Sequence, residues 1–202
     1  MYKLYGQRGA GSLGPHLVLE EVGAKYEFQH IENDTMKSAE YLKINPLGVV
    51  PTLVLPNGKA IMESAAMVIH LTNAHPSHLA PEPGTPAHAE YLQWMVFLSA
   101  NVYETLLRTA YSDRYTAGGA PEAAKVKERS EADMTRQFGI VERALDPFLH
   151  GKAPGAADLY LYMFTTWRTP KRALAGYPKI AALAKAVGAH PAVKTVMAAN
   201  AD

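Results

Sequence analysis

Residues 74 to 86 hold four prolines and one glycine, and this stretch divides the chain into two parts that must be built differently. Pro76, Pro81, Pro83 and Pro86 each lack a backbone donor and fix φ, so no helix or central strand can run through them. Period-two and hairpin signals lie before the break. After it every apolar pattern has the helical period.

Tyr2 to Tyr5 is a β-prone run ending at Gly6. The glycine-rich Gly9-Ala10-Gly11-Ser12 then opens a periodic stretch through Leu13, His16, Leu17 and Glu20 that stops at Gly23. Tyr26 to Ile31 alternates as a second strand, at the separation a βαβ unit requires. A short helix is predicted around Ser38 to Lys43, broken at Asn45-Pro46 because the residue before a proline is pushed out of the helical region. Val49 to Leu55 and Lys59 to Met62 flank Pro56-Asn57-Gly58, which supplies the positive-φ residues of a hairpin turn. Glu63-Ser64 then opens a helix carrying Ala65, Val68, Ile69 and Leu71, with Ser64 as its cap and Glu63 beside the positive helix end.

The order βαβ–α–ββα, with Val50-Pro51 before the third strand, is the thioredoxin-like plan, in which that X-Pro bond is usually cis and leaves the valine backbone free to pair with an extended peptide. Helices are predicted over 86–111, 121–149, 156–168, 178–187 and 191–199, the first two beginning with proline where the first turn tolerates it. The fold class is therefore α+β: a thioredoxin-like domain over 1–76, a linker over 77–86, and an all-helical domain over 87–202.

Composition excludes several functions. Twenty basic and nineteen acidic residues give a formal net charge of +1 with no long run of either sign, so nucleic acid is not an expected partner. No stretch approaches the roughly 20 apolar residues of a membrane helix, and the start is too soon broken for a signal-peptide core, which makes the cytoplasm the expected location. The eight histidines show no metal-ligand spacing, and no metal is expected. The chain has no cysteine, so any thiol chemistry must use a thiol brought by a ligand.

The run Asn45-Pro46-Leu47-Gly48-Val49-Val50-Pro51-Thr52-Leu53, followed by Glu63-Ser64-Ala65-Ala66-Met67-Val68-Ile69, resembles the glutathione S-transferases. Gly9 to Leu17 is similar to the first loop and helix of the bacterial beta class, and Ala153 to Leu161 to the family's Ser/Thr-x-x-Asp box, with Asp158 capping a core helix. The resemblance implies that glutathione is the bound substrate. Glu63 and Ser64 would receive its γ-glutamyl end, Val50, ahead of Pro51, would pair through its backbone with the cysteinyl unit, and Lys37 would meet the glycyl carboxylate.

Three positions depart from the beta-class pattern. Its cysteine, which forms a mixed disulfide with glutathione, falls at Gly11; its histidine in the first long helix falls at Tyr103; and Gly155 replaces the Ser/Thr of the box. Ser12 is retained, and other classes use a serine or tyrosine hydroxyl to donate to the glutathione thiolate. A free thiol has a pKa of about 8.5, and lowering it by about two units takes roughly 2.7 kcal/mol, within reach of one or two hydrogen bonds to a charged group. Ser12 is thus the expected catalytic donor, with loop N–H groups, Tyr5 and Tyr103 as alternatives.

The implied activity is transfer of the glutathione thiolate to a small hydrophobic electrophile in a pocket walled by Tyr103 and Tyr111, with no metal. Family members pair as homodimers, and a symmetric pair is expected here. The alternative is a glutathione-binding or partner-binding module of the same fold with little turnover.

Overall fold

In the computed structural model, residues 1–200 are described, side chains of 169, 171 and 172 excepted. The first part contains β1 (Tyr2–Gly6), α1 (Leu13–Glu21), β2 (Tyr26–His30), α2 (Asn33–Met36), α3 (Ala39–Ile44), β3 (Thr52–Val54), β4 (Ala60–Ile61) and α4 (Ser64–Ala74). The sheet order is β2-β1-β3-β4. β1 and β2 run parallel with Leu4 opposite Phe28, whereas β3 is antiparallel to both β1 and β4, as a hairpin turn demands. The thioredoxin-like arrangement is thereby realised, and the Val50–Pro51 bond is cis.

Alternation along β1 separates two cores. Tyr2 and Leu4 face α1 and α4 and join the main core, while Tyr5 packs on the opposite face with Ile31 and Tyr41 of α3. The short α2 has no counterpart in the sequence pattern, because its four residues bury nothing and carry no apolar period.

The helical part contains α5 (Pro86–Phe97), a π-helical turn (Leu98–Tyr103), α6 (Glu104–Ala110), α7 (Gly119–Ala144), α8 (Ala156–Thr165), α9 (Arg168–Ala173), α10 (Pro178–Gly188) and α11 (Pro191–Ala199). α5, the π turn and α6 form one continuous helix over the range expected. The helix expected over 121–149 begins earlier and ends at Ala144, leaving 145–149 irregular ahead of α8. The one expected over 156–168 stops at Thr165, where the hydroxyls of Thr165 and Thr166 donate back to the carbonyls of Tyr162 and Met163 and compete with the backbone ladder.

All ten residues of α8 are buried, and this helix ties the two parts together. Its Tyr160 hydroxyl meets Ser64 Oγ at 2.7 Å, its ring lies where a Cβ on Gly14 would stand, and the Ala156 N–H donates to the Leu79 carbonyl of the proline-rich stretch at 2.7 Å. Asp158, 0% exposed, accepts from the N–H groups of Gly155 and Leu149 at 2.9 Å, and so closes the helix start that glycine cannot cap with a side chain. Burial pushes its carboxyl up to about 6 against the pull of those N–H groups. Ser64 is not the cap expected of it. Glu63 takes the N-cap position of α4 at φ +68°, and the Ser64 hydroxyl is held by Tyr160.

Candidate active site

A cavity of about 530 Å³ opens between the two parts, within the size range of small-molecule sites. One wall comes from the loop after β1 and from Met36, Val49 and Val50. The other comes from Tyr103 at the end of the π turn, Leu106 and Tyr111, and from the α8–α9 junction at Thr166, Trp167 and Arg168. A π turn inserts a residue into the helical repeat and turns the side chains beyond it toward a new direction, a device frequent at functional sites. Here Tyr103, the last residue of the turn, lines the cavity.

Val50 lies on the wall, and neither its N–H nor its C=O takes part in a hydrogen bond among the described residues. The preceding Val49 carbonyl, by contrast, accepts from both Tyr41 Oη and Asn45 Nδ2 at 2.8 Å. Asn45 also donates to Thr52 Oγ1 at 2.9 Å, so the Asn45-Pro46 motif fixes the strand entrance on both sides of Val50-Pro51. A segment gripped so closely on either side leaves one residue's backbone donor and acceptor open on the cavity wall, the chemistry by which an extended chain can pair.

At the start of α4 the first N–H groups have no helical partner, the first ladder bond running from the Met67 N–H to the Glu63 carbonyl. Glu63 is exposed in a left-handed conformation uncommon for a side chain of its kind, a sign of local strain. The start of this eleven-residue helix therefore offers N–H groups to a carboxylate and a carboxylate to an ammonium.

The structure does not bring Ser12 to the cavity. Its side chain is 1% exposed, and Oγ donates to the Gln7 carbonyl at 3.0 Å while accepting the Gln7 N–H at 3.1 Å. The hydroxyl staples the loop shut, and its proton is committed. What faces the cavity beside it is Tyr103. A Cβ built on Gly11 would collide with the Tyr103 hydroxyl and come within 3.1 Å of its Cε1 and Cζ. The ring is held edge-on by Phe164 and Trp167, with centroids 5.6 and 5.0 Å away. Burial raises the phenol well above its ordinary pKa, opposed only by the Gly11 backbone, so the group is a neutral O–H donor.

Of the remaining candidates, Tyr111 lines the cavity with the Arg114 guanidinium 4.1 Å over its ring. Lys37 is exposed at the end of α2, next to the cavity-lining Met36. Tyr5 lies in the separate core beneath α3 and does not reach the cavity. Sequence reasoning missed Arg8, Trp167 and Arg168, all of which line it. No local pattern marks them, since they meet only when α8 is packed.

A thioredoxin-like domain joined to a helical domain, with a cleft between them and an unpaired backbone residue on one wall, defines the fold of the glutathione S-transferases. Residues 12–74 match the family's N-terminal domain and residues 107–200 its C-terminal domain. The chain is 30% identical over 173 residues to the uncharacterised GST-like protein YncG of Escherichia coli K12, covering 83% of this chain and 82% of that one. It is 28% identical over 172 residues to glutathione S-transferase GST-4.5 of Xanthomonas campestris, covering 82% and 81%. Among solved structures, the ternary complex of the bacterial GST BphK superposes with a TM-score of 0.85 at 28% identity, covering 99% of this chain and 100% of that one. A sphingomonad glutathione S-transferase complexed with glutathione gives 0.83 at 26% identity, covering 98% of each. The chain belongs to the glutathione S-transferase family. No helix among the described residues is long and apolar enough to cross a membrane, and no cluster of three metal-binding side chains occurs among them.

Proposed function

We propose that the protein binds glutathione along Val50 and the start of α4 and transfers its thiolate to a small, largely apolar electrophile in the cavity between the domains. The observation that carries this reading is the unpaired Val50 backbone on the wall of a 530 Å³ cavity whose opposite wall is mostly aromatic and aliphatic, with Thr166 and Arg168 as its polar members. In this reading Glu63 and the N–H groups of Ser64 and Ala65 take the γ-glutamyl end, Val50 takes the cysteinyl backbone, and Lys37 takes the glycyl carboxylate.

The thiol donor is Tyr103. The beta-class resemblance puts at position 11 the cysteine that bonds to glutathione sulfur, so the sulfur is placed facing residue 11. In this chain the Tyr103 hydroxyl occupies that space. A neutral phenol there donates to the thiolate, with the N–H groups of the Gly9 to Ser12 loop beside it. The sulfur lone pair then forms the new bond to the electrophilic carbon. The leaving group departs with its bonding pair, and the thiol proton passes to solvent.

The partner is a second copy of the chain. Val96, 58% exposed on α5, and Met62, 36% exposed before α4, leave apolar surface for a symmetric contact. Retention on immobilised glutathione together with turnover of a reactive aryl halide tests the functional reading. Retention without turnover reduces it to a binding module, and no retention removes it.

A further inference from the structure

We infer that the electrophile this cavity selects carries a negative charge: an apolar body bearing a carboxylate, held between Arg8 and Arg168. This deepens the transferase reading and rests on it. The two arginines come from opposite domains, Arg8 from the loop after β1 and Arg168 from the first position of α9, and both line one cavity, on whose wall no acidic side chain stands among the described residues. The remaining surface near them, from Leu107, Ala110, Trp167 and Pro170, is apolar.

Four cations elsewhere on the molecule are paired with carboxylates, Lys3 with Glu27, Lys125 with Glu122, and Arg129 and Arg136 with Asp133, and most others stand singly on open surface; Arg8 and Arg168 differ from those in lining one cavity. Arg8 and Arg168 have no such partner among the described residues. A third guanidinium, Arg114, stacks behind the cavity-lining Tyr111. Among the described residues the cavity wall therefore carries two guanidinium groups and no carboxylate, although the chain as a whole is nearly neutral at +1.

Arg8 is also held in place. Its Nε donates to the Asn200 carbonyl at 2.7 Å, which fixes the guanidinium plane without cancelling its charge. Asn200 is fixed in turn, since its Nδ2 donates to the Val196 carbonyl at 2.8 Å and meets His16 Nδ1 at 3.2 Å. The other His16 nitrogen lies 3.1 Å from the Tyr26 hydroxyl. The end of α11 thus serves as a bracket for one arginine, and the two Nη groups that this bond leaves free are the fork that recognises a carboxylate. Glutathione is itself an anion, but Lys37 and the α4 start already stand for its two carboxylates.

The test is a matched pair of electrophiles, 4-chloro-3-nitrobenzoate and 4-chloro-3-nitrobenzamide, at saturating glutathione. In both, sulfur bonds to the ring carbon and chloride leaves with the carbon–chlorine pair. Each kcat/KM is divided by the uncatalysed rate with glutathione, which removes intrinsic reactivity. The benzoate is expected to be favoured by about tenfold, since a charge-assisted forked contact discriminates on that scale. Arg8→Gln and Arg168→Gln should each lower this ratio by about threefold or more, and added salt of about 0.5 M should lower it in the wild type by screening. No preference in the wild type overturns the inference. So does a ratio that the variants leave unchanged while the KM for glutathione rises, which would give the arginines to glutathione. If neither compound turns over, calorimetry of the unreactive 3-nitrobenzoate and 3-nitrobenzamide on the glutathione-loaded protein decides. Preference for the benzoate, lost in Arg168→Gln, upholds the anion site while the transferase reading fails; equal binding overturns the site as well.

Discussion

The Tyr103 hydroxyl stands in the space that a side chain on Gly11 would fill. One residue belongs to the first loop and the other to the helical domain, and each determines what the other can be. Gly11→Ala should cost about 2 kcal/mol through overpacking, because the methyl meets a ring held by Phe164 and Trp167. Tyr103→Phe removes the colliding oxygen, so the double variant should recover part of that loss. Urea denaturation of all four proteins gives the coupling, and strict additivity would show that the two groups do not touch.

The proposed thiol donor is tested on the same pair. Tyr103→Phe should raise the pKa of bound glutathione's thiol by about one unit and lower turnover about tenfold, with little change in glutathione affinity. Ser12→Ala should loosen the loop that its hydroxyl staples to Gln7, yet leave the thiol pKa in place. Thiolate absorbance titrated against pH measures both. A shift in Ser12→Ala alone would mean that the serine leaves Gln7 when glutathione binds.

Glu63 should show function and stability opposed. Glu63→Gly frees a residue at φ +68° from a conformation that penalises side chains, and should stabilise the fold by about 1 kcal/mol. The same change removes the carboxylate meant for the glutathione ammonium and should weaken binding about tenfold or more. Urea denaturation and calorimetry on one variant check both directions. Unchanged affinity would remove the γ-glutamyl assignment.

His16 should make the fold sensitive to acid. It is buried, stacked on Phe28 at 4.3 Å and bonded to Tyr26, whose hydroxyl donates to Glu20, and burial lowers its pKa from 6.5 to about 4. Between those values the unfolded chain binds a proton that the folded one does not. The contribution is therefore complete above pH 6.5 and is lost as pH falls toward 4, by up to about 3 kcal/mol. His16→Gln should be less stable at pH 7 but lose less on acidification, as read from urea midpoints at pH 7 and 5. Equal slopes would show that His16 is not the titrating group.

Light scattering should give twice the 22.0 kDa chain mass at micromolar concentration. Val96→Lys, placing a charge on exposed apolar surface of α5, should shift the protein toward monomer. Monomer alone in the wild type would count against the symmetric pair.

The sequence determined the order of the strands and of the longer helices, and the Val50-Pro51 wall of the cavity. Asn45-Pro46, Val50-Pro51, Asn57-Gly58 and Glu63-Ser64 act through backbone chemistry confined to a few neighbouring residues, so their consequences can be read locally. The cysteine-free composition, with Gly11 and Tyr103 at two family positions, was legible as two separate departures. Packing showed them to be one arrangement. The Ser12 hydroxyl chose the Gln7 backbone over the cavity, the Ser64 hydroxyl chose Tyr160, and Arg8 and Arg168 came to share a rim. A side chain's partner is set by which groups burial brings within about 3 Å, and although Ser12 finds its partner five residues away, Ser64 and Tyr160, like Arg8 and Arg168, lie on opposite sides of the proline-rich stretch. Local pattern carries no record of that proximity. It arises only when α8 is buried between the two halves.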